Sequence, residues 1–405
     1  MGRLTREDNA YANKTYVYTY TSNGNISAKK TYAYTTGTLG AVQTTETRAY
    51  GNSNWLDQLT NINATAITYD SMGNPLNWHN ASAFTWEGRK LKSLTKMDGT
   101  VISYAYDENG IRTGKTVGSE SVRYILDGTR ILKEIRNAYT LTFLYDNSGT
   151  LIGFNYNNGT TSADYYYGID NWGNINYIYD STGAVVVTYK YDAWGNAIST
   201  TGTLAGTIGA INPYRYKSYY YDAETGLYYL QSRYYDAQVQ RFVSPDMPEL
   251  MGVSGGIYAY NLYTYCENDP VNNVDVFGYA SLGESWNDLK REYGALTPEE
   301  KRLFKRYWYY AFTIYRCRKQ SFIWAEKFYG KYFYTDDWEA NAFKHAMWSA
   351  CMSFELGSYI AELFDTAHES ETMKSRDSYI MAQTQMDLHN NEVGRAYWRI
   401  VCKIF

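Results

Sequence analysis

Residues 214–246 read YRYKSYYYDAETGLYYLQSRYYDAQVQRFVSPD, and residues 261–280 read NLYTYCENDPVNNVDVFGYA. Tyrosine dominates both stretches, and 46 of the 405 residues are tyrosine. A tyrosine ring packs on a pleated surface while its hydroxyl finds water or a polar partner, so such density suits sheets with one wet face.

Upstream, residues 1–213 repeat one pattern: an apolar-polar alternation, then Tyr-Asp, then a glycine turn. Instances are Tyr69-Asp70 with Gly73-Asn74, Tyr106-Asp107 with Gly110, and Tyr145-Asp146 with Gly149. Tyr179-Asp180 with Gly183 and Tyr191-Asp192 with Gly195-Asn196 follow. The carboxylate can accept hydrogen bonds from the turn's amides, and the glycine three residues on supplies the positive φ that a hairpin needs. Stretches such as Ile175-Asn176-Tyr177-Ile178-Tyr179 alternate at period two. Short strands joined by repeated turns predict a spiralling antiparallel sheet in which each repeat packs on its neighbours.

The tyrosine-rich stretch resembles the core segment that closes the β-shell of RHS/YD-repeat proteins. The likeness rests on Tyr219 to Asp222, Glu224 to Tyr229, Arg233 to Asp236, Arg241, Phe242 and Asp246. It continues through Asn261, Tyr263, Tyr265, Asn268, Pro270, Asp275 and Gly278. The resemblance implies a container at residues 1–280, divided into repeats (1–213) and core (214–280), and a separate, chemically active module at 281–405. In many such proteins paired aspartates around the core cut the chain. Asp246 and Asp275 are the candidates here, although Met247 and Val276 depart from the Asp-Pro pattern.

Length supports two units, since 405 residues exceed what one core usually organises. The net charge of −4 predicts no long-range attraction to nucleic acid or anionic lipid. Four cysteines without paired-ligand spacing argue against a disulfide scaffold and predict buried thiols. No run is long and apolar enough for a transmembrane helix, and the opening MGRLTREDNAYANK contains no signal peptide. The reading is the C-terminal portion of a longer chain, secreted or displayed at a cell surface.

The hydrophobic period changes near Gly283. Thr297-Pro298-Glu299-Glu300 is a helix start with Thr as N-cap, Pro at the first position and Glu at the third. Further helices are predicted over 319–329, 338–356, 358–373, 377–389 and 391–403. The fold class is therefore mixed: an all-β shell followed by an all-α domain. That domain holds 17 basic and 17 acidic residues, so it lacks the excess charge of a nucleic-acid footprint.

Three of the four histidines lie in the helical part: His345, His368 and His389. Asn341 and His345 are four apart on one helical face, Asp365 precedes His368-Glu369, and Asp387 precedes Asn390, Asn391, Gly394 and Arg395. Histidine near neutral pH moves protons or binds metal, while amides and a guanidinium receive anions. The pattern Asn-x-x-x-His-Ala-x-Trp, Ala-His-Glu and Met-Asp-x-x-Asn-Asn-x-x-Gly-Arg resembles a helical domain at the ends of bacterial polymorphic toxins. It implies a site of Asn341, His345, His368, Glu369, Asp387, Asn390, Asn391 and Arg395. The spacing of the histidines would let successive helices each contribute one inward group, with His345, His368 and Asp387 as a metal set. Asn390, Asn391 and Arg395 would then bind an anion.

The expected function is an interbacterial toxin with a helical hydrolase acting on a phosphodiester or lipid headgroup. A cognate immunity protein is the expected partner, and a divalent metal is a possible cofactor. Two readings of other classes stand beside it. The aromatic run Tyr307 to Phe312 with its basic neighbours could make the domain membrane-active without catalysis. Alternatively, the whole chain is a surface-binding repeat protein.

Overall fold

The structure is a computed structural model, and it describes residues 2–108, 110–146, 150–246, 260–275, 278, 296–306, 311–330, 338–370, 372–375 and 377–404. The expectations placed on Gly149, Met247, Val276 and residues 307–310 lie outside these. The chain divides into two units. One comprises Met1–Leu144 with Leu151–Ser285, the other Tyr145–Thr150 with Trp286–Phe405.

The first unit is antiparallel β-sheet. Six strands run in sequence order from Arg6–Asn9 to Thr65–Ala66, and twelve more from Ala81–Glu87 to Ala197–Thr201. Within each sheet every strand pairs with its neighbours in sequence, so each repeat is a hairpin added to the previous one. The turns are built as the sequence predicts. Asp192 accepts hydrogen bonds from the amides of Trp194 and Asn196, both at 2.9 Å, and from Asn196 Nδ2 at 2.7 Å. Gly195 takes a φ of +96°, which a side chain would strain. Asp170 and Gly173 form the same turn, although isoleucine replaces the tyrosine before it.

The repeat tyrosines also tie one hairpin to an earlier one. Tyr69, Tyr106 and Tyr191 each donate a hydroxyl hydrogen bond of 2.9 Å, to the carbonyls of Leu59, Leu91 and Ile175. A buried phenol needs such an acceptor, so the tyrosine side chain fixes the stacking of repeats as well as filling space.

Four short strands of the core segment form their own sheet: Tyr220–Asp222, Leu227–Tyr229, Tyr234–Asp236 and Arg241–Phe242. This segment grips the repeat turns by their carbonyls. Tyr228 donates to Gly195 O and Ser218 to Gly173 O, while Tyr263 donates to Gly73 O and Asn268 to Gly24 O, all at 2.7–2.9 Å. Asp236 accepts from Trp78 Nε1 and His79 Nε2. One segment therefore binds turns dispersed over 170 residues of repeat.

The second unit is helical. It comprises α1 (Pro298–Arg306), α2 (Ala311–Tyr329), α3 (Trp338–Leu356), α4 (Ser358–His368) and α5 (Ser378–Ile404), with a 3-10 turn at Thr372–Lys374 between α4 and α5. α1 begins with a reciprocal capping box: Glu300 N donates to Thr297 Oγ1 and Thr297 N to Glu300 Oε2. Ile314, Trp348, Met352, Ile360 and Phe364 are among its buried core residues.

Three expectations are corrected here. The segments 377–389 and 391–403 are one continuous helix, α5, because nothing in Asn390-Asn391 breaks the backbone ladder. The helix predicted over 358–373 ends at His368, where Glu369 becomes the C-cap. Cys317 and Cys351 are not free thiols but a disulfide joining α2 to α3. Their spacing of 34 residues matches no motif, and only packing of the two helices brings them together.

Candidate functional site

Three elements converge in the helical unit. α3 carries Asn341, His345 and Ser349; the end of α4 carries Asp365, His368 and Glu369; α5 carries Asp387, Asn390, Asn391 and Arg395. Gly394 lets α5 approach closely, since a Cβ there would lie 2.1 Å from the carbonyl oxygen of Ala346 on α3.

His345 occupies the centre. Its Nδ1 lies 3.7 Å from Glu369 Oε1 and its Nε2 lies 3.6 Å from Asp387 Oδ1. Asn341 Nδ2 donates to Asp387 Oδ1 at 3.2 Å, and Thr372 Oγ1 lies 3.2 Å from Glu369 Oε2. Burial, followed by the neighbouring His368, pushes the His345 pKa down to about 4, so its ring is neutral at pH 7. Burial pushes Glu369 up to about 7 and Asp387 up to about 6. Two carboxyls close to their protonation midpoint thus face a neutral imidazole.

His368 turns to a different partner. Its Nδ1 lies 3.0 Å from Glu300 Oε1. Burial alone would lower its pKa, but the Glu300 hydrogen bond and charge overcome burial and raise it. Burial is likewise outweighed at Glu300, whose pKa is held below the ordinary carboxylate value by His368. The capping glutamate of α1 therefore serves two purposes, and sequence reading found only the first. The His368 ring remains beside the centre, with its centroid 5.9 Å from that of His345.

A second polar group lies behind the first. Arg395 Nη1 pairs with Asp365 Oδ2, so the guanidinium expected to receive an anion is engaged by a carboxylate. Ser349 Oγ lies 2.5 Å from Asp365 Oδ2 and 2.8 Å from Asn391 O. One hydroxyl proton serves one acceptor, and the other contact is satisfied when Asp365 is protonated. Burial agrees with this by pushing Asp365 up to about 6. Ser349 was invisible as a site residue because a serine inside a helix is common. His389 is exposed and stands apart from the cluster, so the expectation of one inward histidine per helix fails for it.

The site is under-bonded for its depth. His345 Nδ1, Glu369 Oε1, Asp365 Oδ1, Asn390 Nδ2 and both side-chain polar atoms of Asn391 are buried without a hydrogen-bond partner. Asn391 is completely buried. Buried polar atoms are normally paired, and unpaired ones cost about 1–3 kcal/mol each. Those of His345, Glu369 and Asn391 meet at one imidazole, as in a site for a polar ligand.

The shell brings together its own candidate pair. Arg233 Nη2 lies 3.1 Å from Asp246 Oδ2 and 3.6 Å from Asp275 Oδ2, with all three side chains buried. The amide of Gly278 donates to Asp275 Oδ1 at 2.8 Å, and Arg233 Nε holds the Gly278 carbonyl. The chain beyond Asp275 is thereby returned to the guanidinium that joins the two aspartates.

A family model described as the teneurin YD-shell matches residues 1–271, two thirds of the sequence and the whole described β-unit up to Val271. The chain belongs to the teneurin YD-shell family. A second model, described as a domain of unknown function (DUF6973), matches residues 301–403. The tRNA3(Ser)-specific nuclease WapA of Bacillus spizizenii is 37% identical over 233 residues, covering 56% of this YD-shell chain and 10% of that protein. The double-stranded DNA deaminase toxin A of Burkholderia cenocepacia is 28% identical over 227 residues, covering 49% of this chain and 15% of the relative. The YD-shell chain thus spans about a tenth of the length of the first curated relatives it matches. The crystal structure titled TcdB2-TccC3-Cdc42 matches 66% of this chain and 13% of its own with a TM-score of 0.50 at 18% identity, a likeness of fold.

Proposed function

We propose that this chain is the C-terminal portion of a secreted or surface-displayed polymorphic toxin, in which the YD-shell presents a helical effector hydrolase. The observation that carries this reading is the buried His345–Glu369–Asp387 centre with its unpaired polar atoms. Each unpaired buried atom is destabilising, so a group of them beside an imidazole and two carboxyls favours a polar ligand. A phosphodiester is the preferred substrate class. Relatives bearing similar shells are named as acting on nucleic acids, and the unpaired amides of Asn390 and Asn391 offer donors to phosphate oxygens. These names differ in chemistry, nuclease in one case and deaminase in another, so the reaction rests on the centre itself.

In this proposal the His345–Glu369–Asp387 centre activates a water whose oxygen bonds to phosphorus as the ester P–O bond breaks and the leaving oxygen takes up the water's proton, and the two asparagine amides receive the phosphate oxygens. Asp365 and Arg395 position α5 rather than touch substrate. An immunity protein that covers this centre is the expected partner. In the shell, Asp246, Asp275 and Arg233 are proposed to promote release of the effector by chain cleavage.

The test is expression of the full chain, and separately of residues 283–405, in a bacterium with and without the adjacent downstream gene. Growth arrest that disappears in Asp387→Ala, and is suppressed by the neighbour, supports the reading. An Asp387→Ala protein that folds and arrests growth as wild type does removes it.

A further inference from the structure

We propose that His345, Glu369 and Asp387 form a binding site for one divalent transition-metal ion. The inference deepens the hydrolase reading by naming a cofactor for the same centre. Its geometric basis is independent of the substrate. One imidazole nitrogen and one oxygen from each carboxylate lie within 4.8 Å of one another, the one such group among the described residues.

The separations argue for an ion rather than for direct bonding. Distances of 3.6 and 3.7 Å are too long for hydrogen bonds between His345 and the two carboxylates. They run from opposite ring nitrogens, only one of which can face a given ion; the 3.6 Å from Nε2 to Asp387 Oδ1 is near the roughly 3.4 Å expected between two ligands bonded at about 2.1 Å to a tetrahedral ion, and Glu369 completes the set within 4.8 Å. The groups are also held as ligands are. Asn341 donates to Asp387, the Thr372 hydroxyl pins the backbone carbonyl of Glu369 at 2.9 Å, and Glu369 Oε1 is left without a partner. Such donors orient metal-binding carboxylates.

An independent sign is Asn391. It interacts with His345, is completely buried, and leaves both polar side-chain atoms unpartnered. This fully buried amide meets the His345 ring and is placed to orient it or to hold a ligand of the ion. The donor set decides the class. One nitrogen and two carboxylates neutralise a dication and suit Zn²⁺ or Mn²⁺, whereas a thiolate-preferring ion finds no sulfur among these three.

The experiment uses the full chain, stripped with chelator and titrated calorimetrically with Zn²⁺ and with Mn²⁺ alone. One ion per chain is expected for at least one metal. The isosteric variants Glu369→Gln and Asp387→Asn should each weaken binding at least ~10-fold, and Asn341→Ala roughly 10–100-fold. His389→Ala should bind as wild type does. X-ray absorption of the ion on the unmodified chain should show one imidazole nitrogen among oxygen neighbours, a measurement that does not depend on any variant folding. The proposal is overturned by no stoichiometric binding of either ion, by undiminished binding in both isosteric variants, or by a first shell that lacks nitrogen. Binding at this site with no toxicity leaves the metal and removes the hydrolase reading. Toxicity that persists in chelator with no ion bound does the reverse.

Discussion

Arg112 Nη1 lies 2.5 Å from Asp222 Oδ2, and neither side chain reaches solvent. Lys115 Nζ joins the same carboxylate at 2.7 Å, and the guanidinium faces the rings of Tyr104, Tyr124, Tyr220, Tyr229 and Tyr234. Arg112 and Lys115 belong to the repeats and Asp222 to the core segment. Their pairing is therefore one of the bonds by which the core segment closes on the repeat sheet.

Removing the anion leaves the Arg112 guanidinium buried against aromatic faces without its carboxylate, and Lys115 with Glu224 alone. Asp222→Ala should destabilise the β-unit by about 3–5 kcal/mol. The apolar pair Arg112→Met with Asp222→Leu should cost less than Asp222→Ala alone, because nothing charged is then left unpaired. Urea unfolding followed by tryptophan fluorescence compares them. Equal losses in both would mean that packing, and not charge, decides the closure.

Glu7 supplies a pH dependence. Burial, followed by the charge of Asp192, pushes its pKa up from 4.5 to about 7. A carboxyl raised on folding favours the protonated state. Its contribution is complete below pH 4.5 and is lost as pH rises through about 7, on the order of 3 kcal/mol across that window. Glu7→Gln keeps an acceptor for the Asn9 and Ala193 donors and removes the charge. The variant should melt above wild type at pH 8 and close to it at pH 5. A gap of the same size at both values would contradict the assignment.

Features encoded locally were legible in the sequence. The aspartate–glycine turns announce themselves within five residues, as does the capping box at Thr297. Relationships between distant segments were not. Nothing in Glu300 marks it as the partner of His368, 68 residues away. The sequence reading named both His368 and Glu369, but not how they divide: α4 ends at His368, its C-cap Glu369 brings a carboxylate to His345, and the His368 ring lies beside it while bonding Glu300. The Asp170 turn escaped because the reading required a tyrosine before the aspartate. The physical requirement is the aspartate and the glycine alone.

Gly394 should tolerate no side chain. A Cβ would meet the Ala346 carbonyl at 2.1 Å, a backbone atom that cannot rotate away. Gly394→Ala should cost about 1–3 kcal/mol by forcing α5 from α3, despite alanine's better helix propensity. Because the same movement separates Asp387 from His345, toxicity should fall at temperatures where the helices remain folded. Circular dichroism and growth arrest measured together check this. An alanine variant with raised stability and full toxicity would show that α5 does not sit against α3 as described.

The Cys317–Cys351 disulfide ties the helical unit to its environment. It closes a loop of 34 residues between α2 and α3, and α3 carries His345 and Asn341. A cross-link of that length restricts the unfolded chain and is worth about 2–4 kcal/mol. Disulfides persist in oxidising compartments and are rare in the reducing cytosol. The helical unit should therefore be more stable in an oxidising compartment than in a reducing one. Paired Cys317→Ser and Cys351→Ser substitutions should lower the melting temperature of its helices, and reductant should lower wild type towards the variant while leaving the variant unmoved. Thiol labelling under denaturing conditions, before and after reduction, counts the bond directly. Labelling that reveals both thiols in protein prepared without reductant would place the two cysteines side by side but unbonded, and the stability difference between compartments would not follow.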